Sequence, residues 1–482
     1  MQRPDAHRRA HGQFFTPTHV VACCFALLAG ELSPTARLVD PACGDGAFLR
    51  GALERGIPPE RLYGCDVDPA LVAGLRAAGL ERVALADGLA PGSLPEAAFD
   101  LVVGNPPFGI ATAATGGRAH ASEVRFLLRA LDLVRPGGVI ALVLPSGVLA
   151  NERLRAVRAE LLARATLLAV IALPRQTFSH TGTSALCSLV LLRAVPPPPG
   201  WRVFFALARS QSDLPAICAA YHRQEQGTAP AAPACFWLGQ STDLVKRLDA
   251  HYWEPQTRWL LEQLAARHPL RPLGELLDPH SGVIAGDHVR PSRGELRGPG
   301  LPYEYYQTRQ FLPAGYNYAA IEHCDERAYQ RLAYTTVRQH DILVSCAGVG
   351  GAGMGRVCLI THRPGRSCTG DVLILRTQQP DPLFLFLFLR SAAGRAQLLR
   401  LQNGVGTANL SADELLQVQV PLLPAAGQHS IATRYAPVAT AHHQAMRALL
   451  NGDNDAYRRE RATAEGLLDA EIANLELLLG IG

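Results

Sequence analysis

The stretch RLVDPACGDGAFLRGAL, Arg37 to Leu53, decides how the chain is read. LVD has the character of a short strand, DPACGDG is a turn of small residues, and AFLRGAL has helical apolar spacing. Gly44 and Gly46 let the backbone turn sharply and approach a ligand, and the helix behind them offers unpaired amides. The same alternation runs from Arg37 to Ala194, through RLYGCDVD, PALVAGLRAAGL, RVALAD, FDLVVGN, EVRFLLRALDLV, VIALVLP, RLRAVRAELLARA and LLAVIALP. Strands separated by amphipathic helices predict an α/β domain with a mostly parallel sheet. Its ligands should bind at the carboxyl ends of the strands.

The whole composition agrees with this. A chain of 482 residues that is 48% hydrophobic can bury two or three domain cores. Its 46 basic and 42 acidic residues leave a net charge of +4, which neither demands nor excludes a polyanionic partner. The 11 cysteines are scattered without a CxxC pair, which reads as reduced intracellular thiols rather than a disulfide frame or a zinc site. No metal is expected. The apolar run VVACCFALLAG is stopped by Glu31 and Pro34, and LFLFLFL, Leu383 to Leu389, is too short to cross a bilayer. The expectation is a cytoplasmic protein without a membrane partner.

VPPPPG, Val195 to Gly200, ends the α/β pattern with four prolines that favour extended polyproline II. It sets the expected domains at 1–195, a connector at 196–269, a mixed strand-rich domain at 270–435 and a helical segment at 436–482. No repeat at solenoid periods is visible.

Two candidate sites lie in the first domain. Asp40 ends one strand, Asp66 and Asp68 in GCDVDP end a second, and Asp87 in ALADG ends a third. Such carboxylates can accept hydrogen bonds from an amine, a ribose and an adenine, although they are also common as helix caps. The chain lacks GxGxxG and GK[ST] at these turns, which speaks against a dinucleotide or a triphosphate. S-adenosylmethionine, with amine, ribose and adenine but no phosphate, fits.

The second site is FDLVVGNPPFG, Phe99 to Gly109. An exocyclic amine is a poor nucleophile because its lone pair is delocalised into the ring. Two oxygen acceptors that hold both N–H groups let the nitrogen become more tetrahedral as it attacks. Asn105 supplies one from its side chain, and the rigid Pro106 and Pro107 fix a main-chain carbonyl, that of Pro106, as the other. Phe108 offers a flat face. Neither a metal nor a covalent intermediate is needed. By itself this turn suits adenine, an RNA base or a protein glutamine amide.

DPACGDGAF, GCDVDP, ADG and NPPF in this order, preceded by GQFFTP, resemble the motifs of class I S-adenosylmethionine-dependent DNA adenine-N6 methyltransferases with the methionine-site motif first. The likeness covers residues 10–195, and Gln13 to Pro17 carry its upstream part. It implies a Rossmann-like class I methyltransferase domain. Thr16 would lie by the methionine carboxylate, with Asp40, Ala42, Gly44 and Gly46 by the methionine end. Asp66, where many relatives have Glu, would hold the ribose hydroxyls and Asp87 the cofactor adenine. Asn105, Pro106, Pro107 and Phe108 would take the target amine, Asn105 also bordering the cofactor. Phe108 and Phe178, in LPRQTFSHTGTS, would stack on a base extruded from the duplex.

The second half is similar to target-recognition domains of type I restriction-modification specificity subunits. HDILVSCAGVGGAGMGRVCLI, GDVLILR, FLFLFLRSAAGRAQL, NGVGTANLSADELLQVQVPLLP and GQHSIA carry this likeness over about 270–435. It implies double-stranded DNA as partner, with Arg290, Arg293, Arg297, Tyr305, Tyr306 and Arg309 as candidate contacts. One recognition unit implies a monomer reading one continuous site or a homodimer reading a split one. No PDxxxExK cluster is present, so a restriction endonuclease would be a separate subunit. The combined expectation is an adenine-specific DNA methyltransferase of a restriction-modification or phage-defence system. The alternatives are a methyltransferase for an RNA base or glutamine amide, and a non-catalytic DNA-binding defence subunit.

Overall fold

The strand that opens RLVDPACGDG lies inside a nine-stranded sheet. The computed structural model describes residues 15–108, 121–178, 186–224, 234–239, 242–277, 283–285, 300–346, 355–370, 372–377, 380–401 and 410–481. The strands are β1 (Leu38–Asp40), β2 (Leu62–Asp66), β3 (Val83–Leu85), β4 (Phe99–Gly104), β5 (Val134–Pro145), β6 (Thr166–Ala172), β7 (Cys187–Arg193), β8 (Arg202–Leu207) and β9 (Ala234–Gly239). They stand in the order β3-β2-β1-β4-β5-β7-β6-β8-β9. β1 to β5 pair in parallel, whereas β7 runs antiparallel between β5 and β6. The strand order reverses at β1 and β4, where an open α/β sheet leaves a crevice at its carboxyl edge.

Helices α1 (Thr18–Leu27), α2 (Ala47–Leu53), α3 (Pro69–Ala77), α4 (Ser122–Leu133), α5 (Ser146–Ala150), α6 (Arg155–Arg164) and α7 (Leu214–Arg223) cover the sheet. Alternate strand residues feed two separate cores. Leu101, Val103, Ala141 and Val143 pack with Phe25, Phe48 and Ile217, while Val102, Ile140, Leu142 and Leu144 pack with Leu127 and Leu161. Covered on both faces, β4 has the near-continuous apolar sequence that a parallel strand requires. Each such Leu or Val contributes about 1.5–3 kcal/mol on burial.

The sheet does not stop at the proline run. β8 joins β6 in parallel and β9 joins β8 antiparallel, and the chain divides into compact units at Glu254 and Pro255. The prolines lie inside the first unit and end in a turn, where the Trp201 amide donates to the Pro198 carbonyl at 3.2 Å and the Trp201 side chain is buried in the core.

The second unit begins with α8 (Pro255–Ala265) and holds short strands β10 (Leu270–Pro272), β11 (Val283–Ala285), β12 (Tyr303–Tyr306), β13 (Phe311–Leu312), β14 (Gly315–Tyr316) and β15 (Glu322–Cys324). After α9 (Glu326–Leu332) come β16 (Ile342–Ser345), β17 (Val357–Leu359), β18 (Ser367–Thr369) and β19 (Val372–Leu375). They form sheets ordered β11-β19-β16-β17 and β15-β12-β18, with β13 paired to β14. LFLFLFL lies in α10 (Pro382–Arg390), where Phe384 to Leu389 are all buried, in keeping with a buried element. After α11 (Ala392–Arg400) and α12 (Ala412–Leu415), β20 (Gln419–Pro421) pairs with β10. Two 26-residue helices, α13 (Ala425–Leu450) and α14 (Asn454–Leu479), close the unit. The helical segment thus starts before residue 436. Among the described residues no helix is long and apolar enough to cross a membrane.

Candidate functional site

Asp40, Asp66 and Gly104 end β1, β2 and β4, so the first site forms along one edge of the sheet. Asp40 is 1% exposed, and its Oδ1 accepts the Ala42 amide at 3.1 Å. β4 comes so near that a Cβ on Gly104 would stand 2.8 Å from that Oδ1. The residue before Asn105 is therefore glycine for room, which its place in an apolar strand did not reveal. Burial pushes the Asp40 carboxyl up to about 8; the Ala42 amide opposes this and the charges of Asp66 and Asp45 add to it. A cationic ligand beside it would restore the carboxylate.

Gly44 and Gly46 take left-handed φ of +55° and +79°. The Gly44 amide donates to Asp66 Oδ2 at 2.8 Å, and the Asp68 amide to Asp66 Oδ1 at 2.9 Å. Asp66 thus ties the first turn to the second strand end while its oxygens keep further lone pairs. Asp68 caps α3 by accepting from the Ala70 amide at 2.9 Å. Asp87 is exposed beyond β3, its Oδ1 accepting from the Leu89 amide. A Cβ on the next residue, Gly88, would meet the Pro41 carbonyl at 2.0 Å. The glycine of ADG thus lets the third strand end lie on the first turn. Phe15 stands over that turn, 3.8 Å from where a Gly44 Cβ would be, and half-buried Thr16 follows it. Gln13 lies outside the described residues.

Asn105 is half-buried directly after β4. The Pro107 carbonyl accepts from the Ser122 hydroxyl at 2.7 Å, and Ser122 is itself buried at the start of α4. This anchor of the NPPF turn had no sequence signal, because it stands 15 residues downstream. Phe108 and Phe178 belong to one apolar cluster, 7% and 1% exposed. Both are packed as core side chains. A cavity of about 850 Å³ lies at the ends of β6 and β8, lined among others by Pro17, His19, Arg175, Thr177, Arg209 and Glu254. Its size suits a nucleotide-scale ligand. No cluster of metal-ligating side chains occurs among the described residues, and all eleven cysteines are buried thiols.

In the second unit, Arg290, Arg293 and Arg297 lie outside the described residues. Tyr305 and Tyr306 require a correction. Both are buried, 3% and 0% exposed, and the Tyr306 hydroxyl donates to Glu304 at 3.1 Å and meets His362 Nε2 at 2.9 Å. Both faces of β12 are covered, because Tyr303 and Tyr305 pack in one cluster and Tyr306 in the other. Arg309 is half-exposed and ion-paired with Glu322.

A central β1–β4 reversal, an antiparallel β7 and acidic strand ends around a glycine turn define a class I methyltransferase fold. Residues 4–210 match the profile of the N-6 DNA Methylase family. A type II methyltransferase of Thermus thermophilus is 30% identical over 166 residues, covering 30% of this chain and 36% of that protein. A type II restriction enzyme and methyltransferase of Heyndrickxia coagulans is 26% identical over 216 residues, or 40% of this chain and 33% of the relative. The chain thus spans about a third of the length of these relatives. The methyltransferase subunit of a type I restriction-modification system from Streptococcus thermophilus superposes with a TM-score of 0.38 at 22% identity, covering 44% of this chain and 54% of that one.

Proposed function

We propose that the protein transfers a methyl group from S-adenosylmethionine to the N6 amine of an adenine in double-stranded DNA, and that it serves the modification arm of a restriction-modification system. The observation that carries this reading is the delivery of Asn105 to the carboxyl edge of β4, one residue from the Gly104 contact with Asp40.

The donor set suits that cofactor: a buried carboxyl that a cation would ionise, a glycine turn with left-handed backbone, and two further acids on neighbouring strand ends. Thr16, Asp40, Ala42, Gly44 and Gly46 would hold the methionine end, Asp66 the ribose and Asp87 the adenine. Bound there, the cofactor supplies an electrophilic methyl on a sulfonium. Asn105 Oδ1 and the Pro106 carbonyl accept the two N–H groups of the target amine, and Ser122 keeps the proline turn in place through Pro107. Phe108 provides the stacking face, with Phe178 as a wall of the same aromatic cluster. Positioning supplies most of the rate, because amine and methyl must be held at about 3–3.5 Å.

The second unit, by its likeness to specificity subunits, selects the DNA sequence. Asn105→Ala tests the chemistry: labelled methyl transfer to duplex DNA should fall at least about 100-fold, the scale of losing a preorganised polar contact. Calorimetric cofactor binding should persist. A wild-type rate in this variant would remove Asn105 from the mechanism.

A further inference from the structure

A second cavity, about 340 Å³, lies in the second unit between β13, the start of β17, and helices α10 and α11. Arg356, Arg390 and Arg395 line it together with an apolar floor that includes Leu312, Leu398 and Leu399. Among the described residues the lining contains no carboxylate. Arg390 is the inner member. Its Nε is buried without a hydrogen-bond acceptor among the described residues, and its Nη1 reaches the Val357 carbonyl only at 3.5 Å. Burial draws its pKa below the usual guanidinium range. Nearby Arg395 adds to that, while the charge of Asp469, which stands outside the lining, opposes it. Arg356 donates to the Phe311 carbonyl at the rim, and Arg395 is exposed.

Single exposed arginines are ordinary surface. Three around one concave site, one of them with a buried donor left over, repel each other unless an anion joins them. Guanidinium forks match phosphate oxygens, and an apolar floor suits a sugar edge. We propose that this cleft binds a backbone phosphodiester of duplex DNA, with Arg390 and Arg395 on the phosphate, Arg356 completing its cationic rim and the floor against the deoxyribose. The inference rests on the reading of DNA as substrate and adds a contact that fixes register without reading bases.

The test uses the full chain, without cofactor, and fluorescein-labelled duplexes of cognate and unrelated sequence at several salt concentrations. Arg395→Ala and Arg356→Ala change exposed side chains, so folding is preserved, and circular dichroism checks it. Each should weaken binding about five- to tenfold, equally for both duplexes, and lower the slope of log affinity against log salt by about one. Arg395→Lys should restore the slope. Unchanged affinity and slope in both alanine variants, or a loss confined to the cognate duplex, would overturn the proposal. Because no methyl transfer enters the readout, failure of the methylation reading would show separately, as intact DNA binding with no methylated adenine.

Discussion

The two units organise buried polar groups in opposite ways, and their responses to pH should diverge. In the first, a carboxyl is enclosed at the centre of one long sheet, and burial pushes Asp40 up to about 8. In the second, histidines are enclosed around Tyr306, Tyr316 and Tyr318, with His442 Nε2 at 3.1 Å from the Tyr316 carbonyl and the Tyr318 ring against His362. Burial brings both His362 and His442 down to about 4. In one unit burial favours the neutral form of an enclosed acid. The other stores neutral bases as filling between short strands and α13. The first arrangement is the site proposed above for a cationic cofactor, and the second is a packing solution.

The largest expected effect lies where backbone meets backbone. Gly88→Ala places a methyl 2.0 Å from the Pro41 carbonyl and should cost about 3 kcal/mol or more in urea unfolding. Gly74→Ala, on the open side of α3 with nothing within 4 Å, should stabilise by up to about 1 kcal/mol. Equal effects would break the claim that the ADG glycine exists for close approach.

The pH effects are opposite in sign in the two units and are read by hydrogen exchange resolved along the chain. For His362 and His442 the folded pKa is depressed, so the unfolded chain binds more protons as acid is added. The second unit should keep full stability above the unfolded value of about 6.5 and lose up to about 2 kcal/mol per histidine by pH 5. Asp40 has a raised folded pKa. Its contribution is present below about 4 and is lost as pH climbs toward 8, by up to about 1.4 kcal/mol per pH unit. A bound cofactor cation should remove this alkaline loss. Parallel pH profiles in the two units would contradict the comparison. The smallest expected loss is that of Tyr306→Phe, which should cost about 1–2 kcal/mol through the bonds to Glu304 and His362. DNA affinity should not change, since the ring is core.

How far the sequence could be read follows the same division. In the first unit, alternating strands and helices disclosed the sheet, and the acids Asp40, Asp66 and Asp87 fall at or just past strand ends as read. Their spacing hid what holds them: Gly104 making room for Asp40, Gly88 against Pro41, and Ser122 anchoring Pro107 from a distant helix. The antiparallel β7 was also invisible, because strand direction leaves no mark on an apolar run. In the second unit, strands of two to four residues carry no period long enough to separate inward from outward positions. Tyr305 and Tyr306 therefore read as surface aromatics and proved to be core. The three arginines of the cleft, spread over residues 356–395, converge only through the fold.

The central claim is adenine N6 methylation in DNA, and nucleoside mass spectrometry after incubation with isotopically labelled S-adenosylmethionine and duplex DNA tests it most directly. Labelled N6-methyladenine should appear at one recurring sequence and be abolished in Asn105→Ala. Label appearing only in RNA or in protein glutamine, or in no acceptor at all, would contradict it.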